Sequence, residues 1–193
     1  LNLILVYLKK KDLPNNLINT NKFNILSFSK FKKKIKNIER INNKIIFSIS
    51  FKKKIDANIL KVFKNKCFNI HPAQLPNYRG CFPTCWPILD KKKHAYYTLH
   101  YMKTNFDNGN IISTEKVPIK KNDNAIKLYH RLLKKIPSLL NKNLKIFLGK
   151  KQNNGKVQNS KKAKYFSGNI EFDLQKSQLL KSYNIIRLVE IFY

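Results

Sequence analysis

Residues 66–80 read KCFNIHPAQLPNYRG, a short apolar strand that ends in polar side chains and runs into a proline-bracketed loop. Alternation along a strand puts Asn69 and His71 on one face and Phe68 and Ile70 on the other. Pro72 cannot donate to a sheet ladder, so the strand is expected to stop at His71, with Pro76 and Gly80 shaping the loop beyond. An amide and an imidazole then stand side by side at the carboxyl end of a strand, where open α/β sheets bind ligands. A single histidine at a strand end more often serves structure than chemistry, so the pair needs support from elsewhere in the chain.

That support comes from CFPTCWPIL, residues 81–89, and TLHYMKTNFDNGNII, residues 98–112. With them the central stretch resembles the catalytic region of the folate-dependent formyltransferases, whose pattern is similar to N-x-H-P-(x)-x-LP-x-[YW]-RG followed by D-x-G-x-I. The family includes enzymes acting on methionyl-tRNA, glycinamide ribonucleotide and sugar amines. The likeness is clear over residues 43–148 and weak in the flanks. It implies an α/β catalytic domain with a mostly parallel, doubly wound, Rossmann-like sheet, 10-formyltetrahydrofolate as formyl donor, and no metal.

The same resemblance implies a catalytic set of Asn69, His71 and Asp107. An Asp in a turn before a glycine usually forms that turn through its own backbone, but Asp107 lies 36 positions after His71 with one strand between, as in the family pattern. Moving a formyl group to an amine develops negative charge on the formyl oxygen. An amide N–H at Asn69 suits that charge, and losing one such donor costs roughly a hundred- to a thousand-fold in rate. An imidazole at His71 moves the proton off the attacking amine, worth about 10² to 10⁴. A carboxylate at Asp107 is expected to fix the ring's tautomer and support its charged form. The acceptor amine is itself the nucleophile, so no Ser, Cys or Lys is required. The loop Ala73, Gln74, Leu75 and Pro76 corresponds to the family's folate-lining segment, although Ala73 and Gln74 depart from the usual SLLP. Phe51 and Ile55 lie where relatives touch the pterin, and both equally suit a core. Arg79 fits the pattern and also suits a loop anchor. His100 is assigned little weight in catalysis.

Forty Lys and Arg against ten Asp and Glu give a net charge of +30. An excess of that size points to a polyanion such as RNA. Its Lys-rich spread among many Asn and Ile residues is also what AT-rich codons produce. Three cysteines form neither an even disulfide set nor a CxxC pair, which favours a reducing, cytoplasmic setting. The apolar runs fall short of the ~20 residues that span a bilayer, so no membrane partner is expected.

From the N-terminus, LNLILVYL and FNILSF read as strands, with Ser29 a candidate cap for the helix KFKKKIKNIERI. NKIIFSISF, residues 43–51, reads as a central strand, and Asp56 caps the helix ANILKVF. Strand and helix alternate, which favours a parallel sheet. By the family comparison the first strand–helix unit is missing. PTCWPILDKKK reads as a short helix and AYYTLHYM as a strand. Asp123 is expected to cap a long helix carrying Ile126, Tyr129, Leu133 and Ile136, with Pro137 kinking or splitting it. The expected division is a catalytic domain over 1–149, a polar linker over 150–164 and the remnant of a C-terminal extension over 165–193.

The acceptor implied first is initiator methionyl-tRNA, in translation initiation. The alternatives are a nucleotide-linked amino sugar, or a decayed, non-catalytic relative that binds RNA by charge.

Overall fold

A computed structural model describes residues 2–7, 24–51, 53–64, 66–147, 149–151, 153–170 and 173. Residues 8–23 and the end of the expected C-terminal remnant lie outside these residues. The first half alternates strand and helix as β1 (Asn2–Tyr7), β2 (Asn24–Ser27), α1 (Phe28–Glu39), β3 (Lys44–Ile49), α2 (Ala57–Val62) and β4 (Cys67–His71). Then follow β5 (Arg79–Gly80), α3 (Cys85–Leu89), β6 (His94–Tyr101), β7 (Ile111–Pro118), α4 (Ala125–Lys142), α5 (Leu144–Phe147) and β8 (Tyr165–Phe166).

Six strands form one sheet in the order β2-β1-β3-β4-β6-β7. The β2-β1-β3-β4 part is parallel, and β6 and β7 join antiparallel. This is the mostly parallel α/β architecture expected. β1 bonds to both β2 and β3, so the described sheet is continuous there.

The sheet is apolar on both faces, as a sheet covered by crossover helices must be. One face carries Phe47, Phe68 and Leu99 against Trp86, Leu128, Leu132 and Leu139. The other carries Ile4, Val6 and Ile46 against Phe28, Phe31, Ile59 and Phe63. β4 lies between both layers with all five residues buried, which is why its two polar side chains must find partners inside the fold.

Four local expectations are corrected. The cap of α1 is Ser27, whose side chain accepts from Lys30 N–H, and Ser29 lies inside the helix. Asn124 caps α4 by accepting from Lys127 N–H, which leaves Asp123 to pair with Arg131 through two bonds of 2.6 Å. Pro137 does not split α4, which runs unbroken from Ala125 to Lys142. Leu133, Ile136, Leu139 and Leu140 around it are buried, so packing outweighs the one backbone bond a proline forfeits. The buried stripe is also rotated from the expected one: Ile126 is 49% exposed. Among the described residues, no helix is long and apolar enough to cross a membrane.

The loop from β6 to β7 closes against β6 so tightly that a Cβ on Gly109 would stand 1.6 Å from the Tyr101 carbonyl oxygen. Gly109→Ala must therefore push the loop off β6. We expect a loss of about 3 kcal/mol or more, read as a fall of roughly 6–12 °C in Tm in a thermal melt. An unchanged Tm would mean that the loop accommodates a methyl group.

Candidate active site

Asn69 and His71 leave β4 on one face and meet the carboxylate of Asp107. Asn69 Nδ2 donates to Asp107 Oδ1 at 3.4 Å, and His71 Nδ1 stands 3.5 Å from Asp107 Oδ2. The three expected catalytic residues are thus brought together, with Asp107 9% exposed and the other two buried more deeply.

Each is aimed by a neighbour. Ser48 on β3 faces Asn69 across the parallel register, and its Oγ donates to Asn69 Oδ1 at 2.7 Å, fixing which end of the amide points at Asp107. His71 Nε2 lies 2.7 Å from the Tyr78 carbonyl oxygen. A carbonyl only accepts, so Nε2 carries the hydrogen and Nδ1 is the atom left to take up a proton beside Asp107. Tyr78, at φ 56°, is one of four non-glycine left-handed residues around the site, with Ser50, Phe82 and Asp107. Such conformations persist where the surroundings enforce them. The tautomer of His71 is therefore set by a backbone carbonyl and not by Asp107, whose carboxylate faces Nδ1.

His100, assigned little weight from sequence, also reaches this cluster. It is the register partner of Asn69 in the antiparallel β4–β6 pair. Its Nδ1 lies 2.7 Å from the Tyr101 carbonyl oxygen and so carries the hydrogen. Nε2 is left to accept from Asn69 Nδ2 at 3.1 Å, 3.6 Å from Asp107 Oδ1. The other Asp107 oxygen accepts from Gly80 N–H at 2.9 Å.

Burial is the largest influence on His71 and lowers its pKa; Asp107 and the Tyr78 carbonyl oppose this, and His100 adds to it. The ring is held neutral below its usual range and is a base at neutral pH. Burial acts to raise the Asp107 pKa, but the adjacent His71 and His100 rings and the Gly80 N–H outweigh it and hold the carboxyl well below the ordinary carboxylate range. A neutral base beside a fixed anion accepts a proton and is stabilised once it has done so.

His71 and Asp107 form part of the wall of a cleft of about 540 Å³, with Ser50, Phe51, Phe82, Ile126, His130 and Tyr165 among its other walls. A recess of about 30 Å³ shares Phe51, Phe106 and Asp107 with that cleft and adds Ile55, Asn69 and His100. Phe51 lines both spaces; Ile55 lines the recess and is also buried in the α1–α2 core. Ala73 and Gln74 line a separate cavity of about 260 Å³ with Lys92 and His94. Leu75 is buried, and the Pro76 carbonyl accepts from Lys164 N–H. Thr98 pins this loop by donating to the Ala73 carbonyl at 2.7 Å. Arg79 is an anchor: it is buried and bonded to Gln158. Cys85 lines the cleft, but burial pushes its thiol pKa far up, so it offers no thiolate at neutral pH.

The stretch 150–164, expected as a linker, is tied to the body of the fold. Lys156 bridges to Ile111, and β8 pairs in parallel with β5. Phe166 stacks on Trp86 with ring centroids 4.0 Å apart, and Tyr165 and Ser167 become cleft wall.

The formyl transferase family matches this chain over residues 5–144. The chain belongs to that family. Among curated relatives, it is 35% identical over 116 residues to the bifunctional polymyxin resistance protein ArnA of Wigglesworthia glossinidia brevipalpis, a match covering 60% of this chain and 18% of that protein. It is 33% identical over 87 residues to the GDP-perosamine N-formyltransferase of Brucella melitensis biotype 1, covering 45% of this chain and 34% of that one. The chain thus spans well under half the length of either curated relative. Among solved structures, WlaRD, a sugar 3N-formyl transferase crystallised with dTDP and 5-N-formyl-THF, superposes with a TM-score of 0.69 at 26% identity, over 88% of this chain and 70% of that one. The formyltransferase PseJ of Anoxybacillus kamchatkensis shares the fold with a TM-score of 0.71 at 23% identity, over 99% of this chain and 97% of that one.

Proposed function

We propose that this chain transfers a formyl group from 10-formyltetrahydrofolate to the amino group of a nucleotide-linked sugar. The observation that carries the reading is the meeting of Asn69, His71 and Asp107 in one buried cluster that opens on the cleft. The named activities of the GDP-perosamine enzyme and of WlaRD support the sugar amine over the methionyl-tRNA acceptor that the sequence suggested first.

The walls fit a donor of this kind. Phe51 and Phe106 give apolar surface beside Asp107, and the Ser50 hydroxyl oxygen is shut off from solvent with no hydrogen-bond partner among the described residues. A buried hydroxyl in a ligand cleft is a place for a ligand's polar atom. The donor supplies the formyl group. Asn69 holds one Nδ2 hydrogen toward His100 at 3.1 Å and the other loosely toward Asp107 at 3.4 Å. The looser hydrogen is the one free to turn onto the formyl oxygen as charge develops there. His71 Nδ1 takes the proton from the acceptor's nitrogen, and Asp107 steadies the imidazolium until the proton passes to the departing nitrogen.

A second reading, methionyl-tRNA as acceptor, is favoured by the net charge of +30. The deciding experiment incubates the purified chain with 10-formyltetrahydrofolate and, in separate reactions, nucleotide-linked 3- and 4-amino sugars or methionyl-tRNA. Formylated product is read by mass spectrometry. Product from at least one amino sugar is expected; product from methionyl-tRNA alone would overturn the proposal.

A further inference from the structure

Gln158 stands in the stretch that sequence alone marks as a linker, yet it is 9% exposed and uses every hydrogen-bonding position of its amide. Nε2 donates to the Asp107 carbonyl at 2.8 Å and to the Gly109 carbonyl at 2.6 Å. Oε1 accepts from Arg79 Nε at 3.1 Å and from Arg79 Nη2 at 2.6 Å. Two parts of the site meet at this one side chain. One is the loop that carries the Asp107 carboxylate; the other is Arg79–Gly80, whose Gly80 N–H binds that carboxylate at 2.9 Å.

We propose that Gln158 is a positioning residue that holds the Asp107 carboxylate against His71 by locking the loop behind it to the segment in front of it. This rests on the formyl-transfer reading above. The loop needs such a lock. Asp107 sits at φ 50°, a conformation that L residues hold only under constraint, and its 3.5 Å approach to His71 Nδ1 has little slack. A neutral amide is the group that serves. It donates to two carbonyls while accepting from a guanidinium, and it leaves the Arg79 charge to act on Asp107. Glutamate would still pair with Arg79 but would turn a lone pair on each of the two carbonyls. The segment around Gln158 is itself fixed, by the Lys156–Ile111 bridge on one side and the β5–β8 pair on the other.

The test uses Gln158→Glu, which keeps size and the Arg79 partner, and Gln158→Met, which keeps size alone. Asp107 and His100 are the titratable groups facing His71, with Arg79 turned to Asp107 and Tyr165 and Cys81 in the cleft wall nearby. In both variants we expect kcat to fall about 10- to 100-fold, since a displacement of order 1 Å is worth up to about 10², with the donor KM within threefold of the parent. In ligand-free Gln158→Met, the His71 ring resonances, followed by NMR against pH, should titrate at lower pH than in the parent, because a receding carboxylate no longer raises the ring's pKa. A purely structural role would lower Tm and the active fraction and leave that titration in place. Folded variants with parental kcat, or with an unmoved His71 titration, would overturn the proposal. Should the parent formylate no amino sugar, the acceptor reading fails by itself, and the ligand-free titration still decides the role of Gln158.

Discussion

Asp107→Asn is expected to lower kcat by about 10³ to 10⁴, the scale on which a positioned imidazole loses effect when its carboxylate becomes an amide. The substitution is nearly isosteric, and one side-chain oxygen can still accept from Gly80 N–H, so the fold should survive. What changes is the group facing His71. Gly80 N–H and His71 Nδ1 face the same oxygen, Oδ2, so the amide that keeps the Gly80 bond leaves a neutral oxygen 3.5 Å from Nδ1, and the anion that would steady the imidazolium is gone. The pH dependence follows with a definite sign. His71 already titrates below its usual range because burial outweighs the support from Asp107. Without that support its pKa falls further. Activity requires the neutral ring, so kcat/KM rises with pH through the His71 pKa, and this rising limb moves to lower pH in the variant. A profile measured between about pH 4 and 8 in parent and variant checks both statements. A loss under tenfold, or a limb displaced upward, would remove Asp107 from its assigned part.

What the sequence made legible about this site follows from how far each partner lies along the chain. Asn69 and His71 were readable because strand alternation is local, and Pro72 ends the strand where a proline must. Asp107 was readable because its spacing from His71 matches the family pattern, together with Gly109, which the loop requires for its approach to Tyr101. His100 was named and assigned little weight, because nothing in AYYTLHYM says that it falls opposite Asn69. That depends on the antiparallel register of β4 with β6, a property of two strands. Gln158 was missed altogether. It sits in a polar run without periodicity, and its partners Arg79 and Asp107 are 79 and 51 positions away.

The fold shows the same division. The alternation of strand and helix through the first half identified a parallel sheet, because a short crossover through a helix joins parallel strands. Which of two nearby polar residues caps a helix was not recoverable. Ser27 and Ser29, or Asp123 and Asn124, are equally suited by type, and the choice is made by where the preceding strand or turn delivers the chain. Tertiary demand also decided Asp123. A carboxylate within reach of Arg131 forms two charge-assisted bonds, and the neutral neighbour takes the cap.

The second large effect expected is at His71. His71→Ala removes the group that moves the proton, and kcat should fall about 10² to 10⁴. The donor's affinity should change little, because His71 contributes one edge to a cleft whose apolar wall is supplied by Phe51, Phe82 and Phe106. Truncation also frees the Tyr78 carbonyl, which loses its only hydrogen-bond donor from this ring. That carbonyl is buried, and leaving it without this donor should cost about 1–3 kcal/mol, small beside the catalytic loss. Two measurements separate the roles: single-turnover formyl transfer at saturating donor, and donor binding by fluorescence or calorimetry. A variant that transfers at the parental rate would show that another group carries the proton, and His100, 3.6 Å from the same carboxylate, would be the residue to replace next. A variant that loses donor binding in proportion to rate would make His71 a binding residue. The expected split, a large loss in kcat with near-parental affinity, is the signature of a group whose contribution arises only as the proton moves.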